Sequence, residues 1–421
     1  MRRNWREILL NRKMLMCILL GFMSGMPLYV CIQLVPGWLR TEGVDLATIG
    51  LFSLVQFPYV WKFLWSPLLD RYSIQALGRR RGWMVVTQLL LFVCIGMLGN
   101  FHPHVSLTAI VWLVTAVAFF SASQDIVIDA YRRELLEDDE LGTGNSLSIN
   151  AYRLSSLVPG SLALILADVL PWSSVYWVVA SFMLGGMLLT LLLPEVSDAA
   201  TAPRTIRKAI IEPFVEFFTR SNWRQALLML VFLVLYKLGD NMATALSTPF
   251  YLDLGFSLTE IGTIAKVATL WSSIAGSVIA GVIMLTLSIN RALWVFGAVQ
   301  MVSILGFAAL AHIGNNPYAL FAAVSFEYLG VGLGTVALTA FIAQQANRRF
   351  SATQIALLTS LTAVPRIFAN ASTGYIIEAI GYFSFFLLCT AIAIPGMLLL
   401  FVIAPWNAGH SLPAATRNAD D

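Results

Sequence analysis

Residues 14–39 read MLMCILLGFMSGMPLYVCIQLVPGWL, an unbroken stretch without one charged side chain. About 20 apolar residues in a helix cross the hydrocarbon core of a bilayer. Basic residues precede the run, as they precede the apolar core of a signal peptide. This run is too long for such a core and is the right length for a retained first transmembrane helix.

Working outward, the rest of the chain repeats the pattern. Its 421 residues are 58% hydrophobic and only 12% charged, with a mean hydropathy of +0.78. A soluble domain carries roughly 25% charged residues, and too few polar residues are present here to cover an apolar mass of this size. Lipid must be the solvent for most of the chain. Spans are expected near 14–39, 46–69, 83–101, 107–131, 143–167 and 172–193. A second set is expected near 224–250, 259–285, 291–312, 317–344, 352–377 and 381–404. The fold class is therefore an all-α membrane protein of about twelve transmembrane helices.

Lys and Arg fix the expected orientation, because cytoplasmic loops accumulate them. One set of connections holds Arg12, Lys13, Arg71, Arg79, Arg80, Arg81, Arg132, Arg133, Arg204, Arg207, Arg291, Arg348 and Arg349. The alternate set holds only Arg40. Both termini are expected on the cytoplasmic side, and basic residues placed by this rule require no nucleic-acid partner. Cys17, Cys31, Cys94 and Cys389 lie inside apolar runs, and His102, His104, His312 and His410 fall near segment ends or in the tail. No metal site is expected from them.

The longest polar interval, 195–223, divides the spans six and six. The expected units are a bundle at 1–194, a linker at 195–223, a second bundle at 224–405 and a polar tail at 406–421. Within the linker Ile206, Ile210, Phe214, Phe217 and Phe218 recur at helical spacing beside Arg207, Lys208, Glu212 and Glu216. That pattern reads either as an amphipathic helix on the membrane face or as a plain tether. The halves also echo each other: Gly43-Val-Asp-Leu-Ala-Thr-Ile-Gly50 follows the first span and Gly255-Phe-Ser-Leu-Thr-Glu-Ile-Gly262 the seventh. Two parallel six-helix repeats resemble the layout of the major facilitator superfamily, whose substrate site lies between the halves near mid-membrane.

Nine charges fall inside the expected spans: Lys62, Asp125, Asp129, Arg153, Lys237, Asp240, Lys266, Glu327 and Arg366. At roughly 3 kcal/mol each, facing lipid would cost them about 27 kcal/mol together, against a typical folding stability of ~5–15 kcal/mol. They must face a wet cavity or one another. Lys62, Arg153, Lys237, Lys266 and Arg366 suggest a cavity for carboxylates or another anion, and structural pairing with the four acids is the alternative. Asp125 and Asp129, at i and i+4, share one helix face. Asp125 is the deeper and lies beside Gln124 and Ser121. A carboxylate in a partly dry cavity takes up a proton more readily than one in water, which makes Asp125 the first candidate for proton coupling, followed by Glu327 and Asp240. Lys237 and Asp240, at i and i+3, can equally neutralise each other.

Several blocks resemble the AmpG-type muropeptide permeases. They are Gly21-Phe-Met-Ser-Gly-Met-Pro27, the run from Gly43 through Lys62-Phe-Leu-Trp-Ser-Pro67 to Asp70-Arg71-Tyr72, and Gly78-Arg-Arg-Arg-Gly-Trp83. Ser121-Ala-Ser-Gln-Asp-Ile-Val-Ile-Asp-Ala130, Leu235-Tyr-Lys-Leu-Gly-Asp240 and Phe350-Ser-Ala-Thr-Gln354 complete the set. The resemblance runs through nearly all twelve spans. It implies proton-coupled import across a bacterial inner membrane of N-acetylglucosaminyl-anhydro-N-acetylmuramic acid and its peptides, by a monomer that needs no cofactor beyond the coupling protons. Such a cargo has carboxylates for the cavity cations, amide groups for Gln124, and sugar faces that suit Tyr59, Trp61 or Trp271. The superfamily's loop motif, a cytoplasmic charge latch, is matched in stretched form by Asp70, Arg71, Arg79 and Arg80, with Asp129 as the expected acid. One alternative is the same fold carrying another amphiphile, such as a siderophore-like compound. A more distant one is a membrane sensor or enzyme, for which the sequence offers no nucleotide-binding loop and no soluble domain.

Overall fold

The computed structural model describes residues 11–72, 74, 77–136, 141–194, 223–284, 286–345 and 351–406. The expected linker helix at 206–218 and the polar tail after 406 lie outside the described residues. Among these, ten helices are long and apolar enough to cross a membrane, and Leu46–Trp61 is a shorter apolar one. The last helix, Ser351–Ile403, has 53 residues and would be about 80 Å long if straight, far more than a ~30 Å hydrocarbon core. Gly381 breaks it with φ 77°, a conformation that glycine adopts freely. Twelve spans result.

They are α1 (Arg12–Thr41), α2 (Leu46–Trp61, continued by Ser66–Arg71), α3 (Arg79–Leu98), α4 (Pro103–Leu135), α5 (Leu141–Leu154, continued to Ala167) and α6 (Trp172–Leu192). The second six are α7 (Trp223–Ala245, continued by Ser247–Asp253), α8 (Leu258–Ile283), α9 (Ile289–Ile313), α10 (Pro317–Gln345), α11 (351–380) and α12 (382–403).

The sequence echo has a structural cause. Gly43 and Gly255 take φ 80° and 87°. In the first turn Val44 N–H reaches Leu39 O (3.0 Å) and Gly43 N–H reaches Arg40 O (3.0 Å); in the second Phe256 reaches Tyr251 O (3.2 Å) and Gly255 reaches Leu252 O (2.9 Å). This is the paired hydrogen-bond pattern that ends a helix at a left-handed glycine. Asp45 and Ser257 then cap the next helix, accepting from Thr48 N–H at 2.7 Å and Glu260 N–H at 3.2 Å.

Not every span is a regular helix. The expected single span at 46–69 is interrupted by 3₁₀ turns at Phe52–Gln56 and Lys62–Leu64. Pro58 and Pro67 open the helical pieces that follow, each lacking the N–H that would continue the previous turn. Wide π turns occur at Val30–Leu34, Val158–Leu162 and Ile261–Ala265, and they converge. A Cβ on Gly160 would lie 2.0 Å from Gln33 Oε1 and 3.6 Å from Lys266 Cδ. Turns of this kind concentrate at functional sites.

The ends of the molecule differ. One carries Arg12, Arg79, Arg80, Arg132 and Arg224; the other has Arg40 beside the Gly43 and Gly255 turns. Among the described residues, most of the hydrogen bonds joining the two halves gather at this arginine-poor end. Arg40 forms a two-pronged ion pair with Asp253 (2.6 and 2.9 Å), and the Tyr382 hydroxyl donates to the same carboxylate at 2.7 Å. Below it Trp38, Tyr176, Phe250, Phe307 and Phe386 are fully buried, filling the wall behind the seal.

Candidate functional site

Beneath the sealed end lies a cavity of about 390 Å³ between the halves, lined by α1, α2, α5, α7, α8, α10 and α11. Three cations face it: Arg153, Lys266 and Arg366. Lys266 follows the third π turn, is buried, and donates to Thr248 Oγ1 at 2.6 Å. Arg153 Nη1 reaches across to Ser277 Oγ at 3.3 Å. Among the described residues none of the three makes an ion pair, so their charge is left for something in the cavity. A buried, uncompensated cation is expensive, and an anionic guest removes that cost.

Polar side chains complete the lining: Gln33, Ser53 and Gln56 from α1 and α2, Asn241, Thr244 and Ser247 from α7, Asn370 from α11. Gln33 Oε1 and Asn370 Oδ1 are buried with no hydrogen-bond partner among the described residues. Sequence reasoning did not pick out any of these amides. Gln33 and Gln56 stand in apolar runs as isolated amides, which is the signal that was there to use, and Asn241 directly follows Asp240. Tyr59 lines a smaller adjoining pocket with Gln56 and Arg366.

The remaining expected cargo contacts are placed elsewhere. Trp271 is 60% exposed. Lys266, Thr269, Leu270, Ser273 and Ser277 define the cavity face of α8, and Trp271 lies about 140° round the helix from it, on the outer surface. Gln124 is buried inside the first half, where its Nε2 donates to Met23 O at 3.1 Å and ties α4 to α1. Lys237 is held within the second half, 2.6 Å from Asp240 Oδ2 and 3.0 Å from Gln300 Oε1. Lys62 approaches Asp125 Oδ2 at 3.7 Å. Lys62 and Lys237 thus each stand at ion-pair distance from an acid of their own half.

Two carboxylate clusters result, one in each half. In the first, Asp125 on α4 takes a hydrogen bond from Ser24 Oγ on α1 and faces Lys62 on α2. In the second, Gln300 on α9 bridges Lys237 and Asp240, its Nε2 donating to Asp240 Oδ1 at 3.2 Å. Beside it Glu327 on α10 is fully buried, accepts from Ser303 Oγ at 2.7 Å through one oxygen, and has no partner among the described residues on the other. The helices α4 and α10 that carry Asp125 and Glu327 are equivalent in the two halves. Ser24, Gln300 and Ser303 were missed from sequence, where a lone Ser or Gln in an apolar helix gives no sign of the neighbouring helix it serves.

At the basic end, Arg79 and Arg80 on α3 meet Glu134 on α4 at 2.6 and 2.7 Å. The expected acid, Asp129, pairs instead with Arg132 one turn along its own helix (2.7 Å). The side chains of Asp70 and Arg71 lie outside the described residues. Among the described residues, the acid that joins α3 to α4 at this end is Glu134 and not Asp129. Asp129 is exposed and one turn short of the arginines.

Comparison with known proteins brings the geometry into a wider setting. Residues 14–370 match the model of the Major Facilitator Superfamily. The anhydromuropeptide permease of Escherichia coli K12 is 43% identical over 387 residues, covering 91% of this chain and 78% of that protein. An uncharacterized protein of Haemophilus influenzae is 46% identical over 405 residues, covering 94% of this chain and 95% of that one. Among solved structures, the nucleoside transporter NupG superposes with a TM-score of 0.75 at 13% identity, over 93% of this chain and all of that one. The D-xylose–proton symporter does so with a TM-score of 0.71 at 11% identity, over 95% and 99%.

Proposed function

The chain belongs to the Major Facilitator Superfamily and, within it, to the family of the anhydromuropeptide permeases; from that premise we propose that it imports anhydro-muropeptides, driven by protons, from periplasm to cytoplasm. It is a multi-pass membrane transporter and not an enzyme. The observation that carries the cargo class is the cavity charge: Arg153, Lys266 and Arg366 face one space and none is neutralised by an acid among the described residues. N-acetylglucosaminyl-anhydro-N-acetylmuramic acid brings its lactyl carboxylate to Lys266; in its peptide forms that group is an amide, and the peptide's own carboxylates meet the cavity cations in its place. Its acetamido groups suit Gln33, Gln56, Asn241 and Asn370, which can both donate and accept.

Proton coupling is assigned to the two carboxylate clusters. Asp125 sits where a cation, Lys62, and a hydroxyl, Ser24, compete for it. Loss of the charge on Asp125 frees Lys62, and that change is transmitted directly to α2, which lines the cavity through Ser53 and Gln56. Glu327 offers a second place to hold a proton, close to the Lys237–Asp240–Gln300 group. The arginine-poor end faces the periplasm on this reading, since cytoplasmic loops gather the basic residues, and the seal at Arg40–Asp253 then describes a state closed to the outside. The coupling assignment is tested by counterflow. Asp125→Asn is expected to keep exchange of labelled for unlabelled disaccharide while losing accumulation against a gradient. Accumulation retained in the variant removes Asp125 from the coupling path.

A further inference from the structure

Gly50 and Gly262 close the two equivalent sequence blocks, and each marks a place where one half presses on the other. A Cβ on Gly50 would lie 3.0 Å from Ala371 O and 3.1 Å from Gly374 N, both on α11. A Cβ on Gly262 would lie 3.0 Å from Ser161 O and 3.1 Å from Ile165 Cγ1, both on α5. Three residues before each glycine a second contact crosses the same boundary. Ala47 N–H donates to Glu378 Oε1 at 3.0 Å, and Thr259 N–H donates to Asp168 Oδ2 at 2.7 Å.

Ala47 and Thr259 are the second residues of α2 and α8, after the caps Asp45 and Ser257. The first N–H groups of a helix have no partner within it. Here each local cap satisfies the third amide, and a carboxylate from the opposite half satisfies the second. A negative group at that position also faces the positive end of the helix dipole. The arrangement is two-fold: α11 of the second half caps α2 of the first, and α5 of the first half caps α8 of the second. Both bonds must break whenever the halves part at this end. Among the described residues the Arg40–Asp253 pair has no such counterpart.

We propose that Glu378 and Asp168 are paired gating residues, reciprocal caps that hold the arginine-poor end shut, and that removing them shifts the protein toward a state open at that end. The proposal rests on reading the Arg40–Asp253 seal as the closed side of a transporter, but it can be tested without any cargo. Both carboxylates are exposed, so truncating them leaves no hole in the core.

The test places a reporter cysteine at cavity-lining Ser53 and measures its modification by a membrane-impermeant maleimide, applied separately to each face of vesicles. Protein without the reporter gives the background from the native cysteines. Glu378→Ala with Asp168→Ala is expected to speed labelling at least three-fold from the Arg40 side and to slow it from the other. Thr259→Pro deletes one of the donor amides instead, at a first-turn position where a helix accepts proline, and is expected to act in the same direction. An unchanged rate in the alanine pair, or acceleration from both faces alike, overturns the proposal. Because no muropeptide enters the assay, failure of the cargo assignment alone would leave the labelling result intact.

Discussion

Lys266 concentrates the residue-scale argument. It is a buried lysine with one hydroxyl partner and, among the described residues, no acid, in a cavity shared by two arginines. A hydrogen bond to a charged group contributes about 1.5–3 kcal/mol. Lys266→Ala should therefore raise the KM for anhydro-disaccharide uptake roughly 10- to 100-fold, with a smaller effect on kcat; an unchanged KM would remove Lys266 from the cargo site. That these charges had to face a cavity or each other was legible from hydropathy alone. Which did which was not. Lys62 and Lys237 turn to acids, whereas Arg153, Lys266 and Arg366 turn to the cavity, and the choice depends on how each helix is rotated about its axis. In a helix apolar on nearly all sides no amphipathic stripe reports that rotation, and Trp271 was misplaced for the same reason.

Glycine contacts decide how closely the helices approach, and they differ sharply in what a methyl group would meet. A Cβ on Gly374 would stand 1.9 Å from the carbonyl oxygen of Leu46 and 2.3 Å from its carbon, rigid backbone that cannot step aside. Gly374→Ala must push α11 off α2, at a cost of about 1–3 kcal/mol typical of overpacking. Because that contact lies at the closed end, transport should fall while the protein still purifies as folded. Gly185 has nothing within 4 Å, and Gly185→Ala should leave uptake unchanged and not lower the melting temperature, since alanine favours a helix interior over glycine. Equal behaviour of the two variants would contradict the packing account. The existence of the helices was readable from length and hydropathy. The breaks in α2 were readable too, since Pro58 and Pro67 each remove a backbone donor, but an apolar run of adequate length invites one uninterrupted span. The π turns at Val30–Leu34 and Val158–Leu162 contain or precede Pro36 and Pro159, whereas the turn at Ile261–Ala265 has no proline to announce it.

Over the whole molecule, the two-fold plan was visible in the repeated Gly-x-[Asp/Ser]-Leu block because a left-handed glycine and an N-cap have strict residue requirements. Contacts between the halves were not visible, since they join residues far apart in the chain. Arg40, set apart from sequence as the one basic residue on its side, turns out to bridge α1 and α7 through Asp253. Arg40→Glu should slow uptake by placing like charges together at the seal. Arg40→Glu with Asp253→Arg should restore part of it, the remainder being lost with the Val44 carbonyl and Tyr382 contacts. No recovery in the double variant would mean that the ion pair does not hold the halves. The central claim joins this architecture to a cargo and a driving force, and one measurement reaches it most directly. Labelled N-acetylglucosaminyl-anhydro-N-acetylmuramic acid is offered to proteoliposomes of folded, oriented protein with an alkaline lumen. The account predicts saturable accumulation above the external concentration that collapses when the pH gradient is dissipated; no uptake, or uptake indifferent to the gradient, would contradict it.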